Sequence, residues 1–146
     1  SAEDLADSIL DMAREPLDQV RAMSYVPHES TFPSTAGDTL EERRAHELLA
    51  IAAMRLVMED RLIPASLDVD GLEGLAMRLK AGANVVTSIL PSGFGLAGVA
   101  SKDLDIENQR RSVAAVVRQL GELGLEPALP GEYRAWIEQR RRGEER

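Results

Sequence analysis

Apolar residues recur along this chain at two spacings, and each stretch of one spacing predicts an element. Leu5, Ile9, Leu10 and Ala13 keep a near-helical interval over residues 2–14, and Pro16 closes the run because its ring cannot continue a helix. Ser1 and Asp4 stand at the spacing of an N-cap and its third helical residue, so the first residue enters a helix directly, as the interior of a longer polypeptide would. Residues 18–26 alternate and carry β-formers, which predicts a strand closed by Pro27 and a polar loop to Gly37. Asp38 and Glu41 have capping spacing. Leu40, Leu48, Leu49, Ile51, Ala52, Leu56 and Val57 then predict the longest helix, with a broad apolar face running to Met58.

The second half repeats the alternation. Leu62 to Leu67 is a short apolar segment suited to a buried parallel strand, with Pro64 where no ladder donor is needed. Asp70 caps a predicted helix through Lys80, and Gly82 ends it. Asn84 to Leu90 is β-branched and almost continuously apolar, the pattern of a buried strand. A glycine-rich loop follows, then a helix capped by Asp105 with Val113, Val116, Val117 and Leu120 on one face and Gly124 at its end. Leu125–Ala128 is at most a short strand. A last helix near 131–141 would dock through Tyr133, Trp136 and Ile137.

Strands alternating with helices predict an α/β fold with a parallel sheet, and residues 1–146 read as one domain. Chemistry in such folds gathers at the carboxyl ends of the strands, where the long loops 27–38 and 91–105 lie. Arg21 to Thr31, Ser66 to Asp70 and Thr87 to Gly98 are therefore the segments to search.

Composition narrows the chemistry. With 25 acidic against 17 basic residues the net charge is −8, which argues against a nucleic-acid partner because phosphate neutralisation needs a cationic excess. Arg140–Arg142 reads as a solvated helix end. No cysteine is present, so disulfides, thiol nucleophiles and a cluster held by this chain alone are excluded. No apolar run is long enough for a bilayer span and no signal-like segment is visible, so the expectation is a cytoplasmic chain with no membrane partner.

Gly93 to Gly98 spells G-x-G-x-x-G, but the cap at Asp105 stands too far on for a tight phosphate-binding turn, which favours a ligand-covering loop. His28 and His46 lack metal-site spacing and read as solvated. Asp68 stands at a strand end, where an aspartate can hold an amine, with a plain surface role equally open. Arg21, a cation inside a predicted strand, pairs outward with a helix or, on an inner face, needs an anionic partner. Facing Ser66 and Asp68, it would complete a clamp for an amino acid or other zwitterion.

Three segments carry a resemblance: Asp18 to Pro27, Ile63 to Gly71 and Gly82 to Ile89. They resemble the radical S-adenosylmethionine mutases of pyrrolysine biosynthesis, in the biotin synthase-like group. The resemblance implies a partial (β/α)8 TIM barrel, of which this chain is the carboxyl-terminal half, and a missing amino-terminal half as its partner. It also implies S-adenosylmethionine and a [4Fe–4S] cluster, with cluster cysteines outside this chain, and a reaction that rearranges lysine, a small amino-acid substrate, to 3-methylornithine. On that likeness Arg21 grips the substrate carboxylate, Ser66 and Asp68 bind polar and amino groups, and Met23 and Val26 lie near S-adenosylmethionine. The chain alone should be inactive. Its rivals are another radical enzyme of the same group and a non-catalytic half-barrel that binds a partner subunit.

Overall fold

Helix α1 runs over Ala2–Arg14 and is closed at its start by the expected capping box: the Ser1 hydroxyl accepts from the Asp4 amide while the Asp4 carboxylate returns to the Ser1 backbone. The computed structural model describes residues 1–24, 39–68, 70–91, 93, 108 and 110–144. They fall in two compact units, Ser1–Ala65 with Met77–Val85 and Ser66–Ala76 with Val86–Arg146.

In the first unit α1 packs on α2, Leu40–Val57, and buries Ile9 against it. The cap of α2 is Thr39 with Glu42, one residue later than the expected Asp38 and Glu41; Thr39 completes the box because its hydroxyl accepts from the Glu42 amide. The buried face of α2 also differs from the apolar stripe. Leu49 and Leu56 are 59% and 80% exposed, and the core side is Glu47, Ala50, Ile51 and Met54. A charged residue belongs to that face because it is paired, as described below.

The expected strand over 18–26 reduces, among the described residues, to one parallel bridge between Gln19 and Leu62. The Val20 amide donates to the Leu62 carbonyl and the Leu62 amide to the Asp18 carbonyl, both at 3.0 Å. Val20 is buried there while Arg21 beyond it is exposed. Strand β1, Pro64–Ser66, is buried throughout, and proline is its first residue, where the missing donor costs least.

Helix α3, Gly71–Ala81, connects β1 to the parallel strand β2, Val85–Thr87. Asp70 does not have the extended backbone of an N-cap. Its φ is 65°, and its carbonyl accepts from the Gly74 amide. Gly82 ends α3 as expected, at φ 118°, and an added Cβ there would lie 2.7 Å from the Cβ of Arg55. The Arg55 Nε donates to the Gly82 carbonyl at 2.8 Å and its Nη1 to the Glu59 carbonyl at 2.7 Å, so one side chain ties two helix ends together. β2 is half-buried rather than fully buried.

In the second unit α4 spans Val113–Glu122 and is capped by Ser112, whose hydroxyl accepts from the Ala115 amide. The expected cap at Asp105 and the G-x-G-x-x-G stretch after Gly93 lie outside the described residues. The helix ends in a Schellman motif on Gly124 at φ 70°, with Leu125 N–H on the Leu120 carbonyl and Gly124 N–H on the Gly121 carbonyl. Leu125–Ala128 forms no strand. Helix α5, Pro130–Glu144, opens with proline at its first position, and the Glu132 carboxylate accepts from the Leu129 amide. Trp136 and Ile137 are half-buried, while Tyr133 is exposed and stacks on Trp136 with centroids 5.8 Å apart. The α/β order is thus present, and among the described residues the sheet is two-stranded. No helix there is long and apolar enough to cross a membrane.

Candidate functional site

Ser66 closes β1, and Asp68 follows two residues later. The chain turns directly after the strand, which brings the two side chains together: the Ser66 hydroxyl donates to Asp68 Oδ2 at 2.9 Å while accepting from the Asp68 amide at 3.2 Å. Ser88, one residue beyond β2, adds a second hydroxyl to Asp68 Oδ2. Its oxygen is 3.1 Å from that of Ser66, and its φ of 64° is a backbone conformation that side-chain-bearing residues rarely adopt. Both serines thus meet one carboxylate oxygen at the carboxyl ends of the two strands.

The other oxygen, Asp68 Oδ1, accepts from Arg111 Nη2 at 2.8 Å. Arg111 is 1% exposed, whereas the Asp68 side chain is 41% exposed. Burial works against the Asp68 charge, but donation from Ser88, Arg111 and Ser66 outweighs it, so the carboxyl is held below the ordinary value of 3.8. The group is an anion over the whole neutral range. Ser66 and Asp68, singled out from the sequence, are brought together as expected. Ser88 lies inside one of the segments marked for search but carried no signal of its own. Arg111 carried none at all, because the doublet Arg110-Arg111 reads as surface charge until the fold buries its second member.

Arg21 and Met23 belong to the first unit. Arg21 is exposed, donates from Nη2 to the Met23 sulfur at 3.2 Å, and among the described residues meets no carboxylate. Both line an apolar cavity of about 880 Å³ between α1 and α2, with Leu5, Ile9 and Ala50 among its walls. Val26 lies outside the described residues, as does His28. His46 is exposed, as its spacing implied.

The segment that carries Arg21 is fastened by a buried network. The Ser24 hydroxyl donates to Glu47 Oε2, and Arg78 grips the same carboxylate with Nε on Oε1 at 2.8 Å and Nη2 on Oε2 at 2.9 Å. Burial again opposes the charge of Glu47, and hydrogen bonds from Arg78 and Ser24 reverse the balance, holding the carboxyl below its ordinary 4.5.

No family model matches the chain. It is, however, 41% identical over 128 residues to the 3-methylornithine synthase of Methanosarcina barkeri, a match that takes in 88% of this chain. This chain is a relative of 3-methylornithine synthase. The Methanosarcina acetivorans 3-methylornithine synthase is likewise 41% identical, over 131 residues and 90% of the chain. A crystal structure of methylornithine synthase superposes with a TM-score of 0.71 at 40% identity over 88% of the chain. The chain spans 36% and 37% of the length of the two relatives, a little over a third of each 3-methylornithine synthase.

An iron–sulfur cluster does not fit the donor set present here. The sequence has no cysteine, and among the described residues no three His, Asp or Glu side chains gather as metal ligands. If a cluster serves this protein, its ligands come from other residues than these.

Proposed function

We propose that this chain forms part of a radical S-adenosylmethionine enzyme that rearranges lysine to 3-methylornithine, and that it contributes side chains that bind the amino acid. The observation that carries this reading is the 41% identity to 3-methylornithine synthases over 88% to 90% of the chain. In that reading the parallel β1 and β2 are consecutive strands of a (β/α)8 barrel, residues 1–146 are a portion of one barrel domain, and the rest of the barrel is its partner. S-adenosylmethionine and the cluster would start the rearrangement; the residues described here bind and orient.

Each role follows from the surroundings of its own side chain. Arg21 is suited to the substrate carboxylate because its planar guanidinium is exposed and, among the described residues, engaged only with a thioether, leaving donors for a two-point grip. Asp68, ionised and partly exposed, is suited to an ammonium group, with Ser66 beside it for a polar contact. Met23, next to Arg21, and Val26 are assigned to the neighbourhood of S-adenosylmethionine. Lysine is a positively charged zwitterion, and a separate cation and anion are what its recognition requires.

The test is to purify the full-length protein without oxygen, supply iron, sulfide and S-adenosylmethionine, and feed isotopically labelled lysine. An isomer of lysine with the chromatographic behaviour of 3-methylornithine is the expected product. Unchanged lysine, alongside turnover of a different amino acid, would replace the substrate assignment. In the same protein Arg21→Ala should weaken lysine binding by tenfold or more, which corresponds to about 1.4 kcal/mol.

A further inference from the structure

We propose that Arg111 is a positioning residue for the amino-acid site, acting on the ligand only through the Asp68 carboxylate it grips, with Ser88 as its counterpart on the opposite oxygen. The proposal rests on the reading of Asp68 as the amine-binding group.

Three observations carry it. Arg111 is buried, yet among the described residues its Nη2 bond to Asp68 is its one side-chain hydrogen bond, and its Nε and Nη1 atoms are buried there without a partner. A buried arginine kept for packing or for a structural network normally has its donors satisfied, because each unmet N–H loses water for nothing. Among the described residues the compensation for the buried cation comes from a single carboxylate. That makes the two residues one unit, with one member hidden and the other partly open to a ligand.

The anchor is also rigid at its base. The Arg111 carbonyl accepts from the Leu90 amide at 3.0 Å, just beyond β2, and the next residue, Ser112, is the N-cap of α4. The guanidinium therefore projects from backbone tied at its own carbonyl and at the following residue. Lastly, both oxygens of Asp68 are engaged: Arg111 takes Oδ1, and Ser66 and Ser88 take Oδ2. A carboxylate held at both oxygens from three chain segments cannot rotate about its terminal bond without breaking contacts, so the direction it offers an ammonium group is set before the ligand arrives.

The experiment is a double-mutant cycle in the full-length protein, read by equilibrium dialysis of labelled lysine rather than by turnover. Asp68→Asn is expected to weaken lysine binding about thirtyfold and Arg111→Met at least tenfold, with the double variant no weaker than Asp68→Asn alone. Arg111→Lys keeps the charge and most of the bulk. It should fall three- to tenfold below the natural protein, and that loss should likewise vanish in the Asp68→Asn background, which keeps the proposal testable if Arg111→Met does not fold. Losses that multiply in the double variants overturn the proposal while leaving Asp68 as the amine-binding group. So does full-strength binding by Arg111→Met when Asp68→Asn binds poorly. Full-strength binding by Asp68→Asn removes the amine-binding reading itself, and the positioning role falls with it.

Discussion

Arg78 and Glu47, 31 residues apart in sequence, meet face to face inside the first unit through two parallel hydrogen bonds of 2.8 and 2.9 Å, with side chains only 3% and 4% exposed. Removing one member of such a pair strands the other's charge, which typically costs about 3 to 5 kcal/mol. Glu47→Ala is expected to lower the free energy of unfolding in urea by that amount. Replacing both, as Glu47→Leu with Arg78→Met, should recover most of the loss, because no charge is then left buried.

Acid should weaken the fold through the same carboxylate. The folded protein holds Glu47 below its ordinary 4.5 and Asp68 below 3.8, so in that range the unfolded chain binds more protons than the folded one. The stability they contribute is complete above those values and is lost as the pH falls through the depressed folded-state values. Thermal unfolding followed between pH 6 and about 2.5 should show Tm dropping on the acid side, and the drop should be shallower in Glu47→Gln, which has no proton to take up.

Two glycines of the α4 terminus should respond in opposite senses to the same change. Gly121 lies within the helix with nothing inside 4 Å of an added Cβ, so Gly121→Ala should stabilise by about 0.5 to 1 kcal/mol. Gly124 holds φ 70° in the Schellman turn, and Gly124→Ala should destabilise by about 1 kcal/mol. Paired denaturation curves read both.

At the other end of α4, Ser112→Ala removes the acceptor for the Ala115 amide and should cost about 1 kcal/mol. Because Arg111 is the preceding residue, lysine binding in the full-length protein should fall along with stability, whereas Thr39→Ala, a cap on α2, should cost similar stability with a smaller loss of lysine binding. Comparing dialysis with melting for both variants separates the two effects.

The helices were legible because their signals are local. The box at Ser1 and Asp4 and the glycine stop at Gly124 each act within a few residues, and each stands where the pattern put it. What failed was inference about partners. Residues 18–24 have the alternation of a strand, yet a strand needs a neighbour along its length, and pairing is confined to Gln19 and Leu62. The stripe on α2 misled for the same reason. Leu56 is exposed, and Glu47 is buried because Arg78, far along the chain, supplies the opposite charge. Within the candidate site, Ser66 and Asp68 were visible as neighbours in sequence, while Ser88 and Arg111 reach Asp68 from 20 and 43 residues away. Long-range pairing of polar groups leaves no periodicity to read.

The contact between Gly82 and Arg55 has a consequence for descent. With an added Cβ only 2.7 Å from the Arg55 Cβ and 2.9 Å from its Cγ, a larger residue at 82 cannot coexist with the arginine in its present place. Nor can the arginine leave cheaply, since it bridges the carbonyls of Gly82 and Glu59. The two positions are therefore locked as a heritable pair: related chains should keep both or exchange both, and single replacements at either site should be rare among sequences that fold this way.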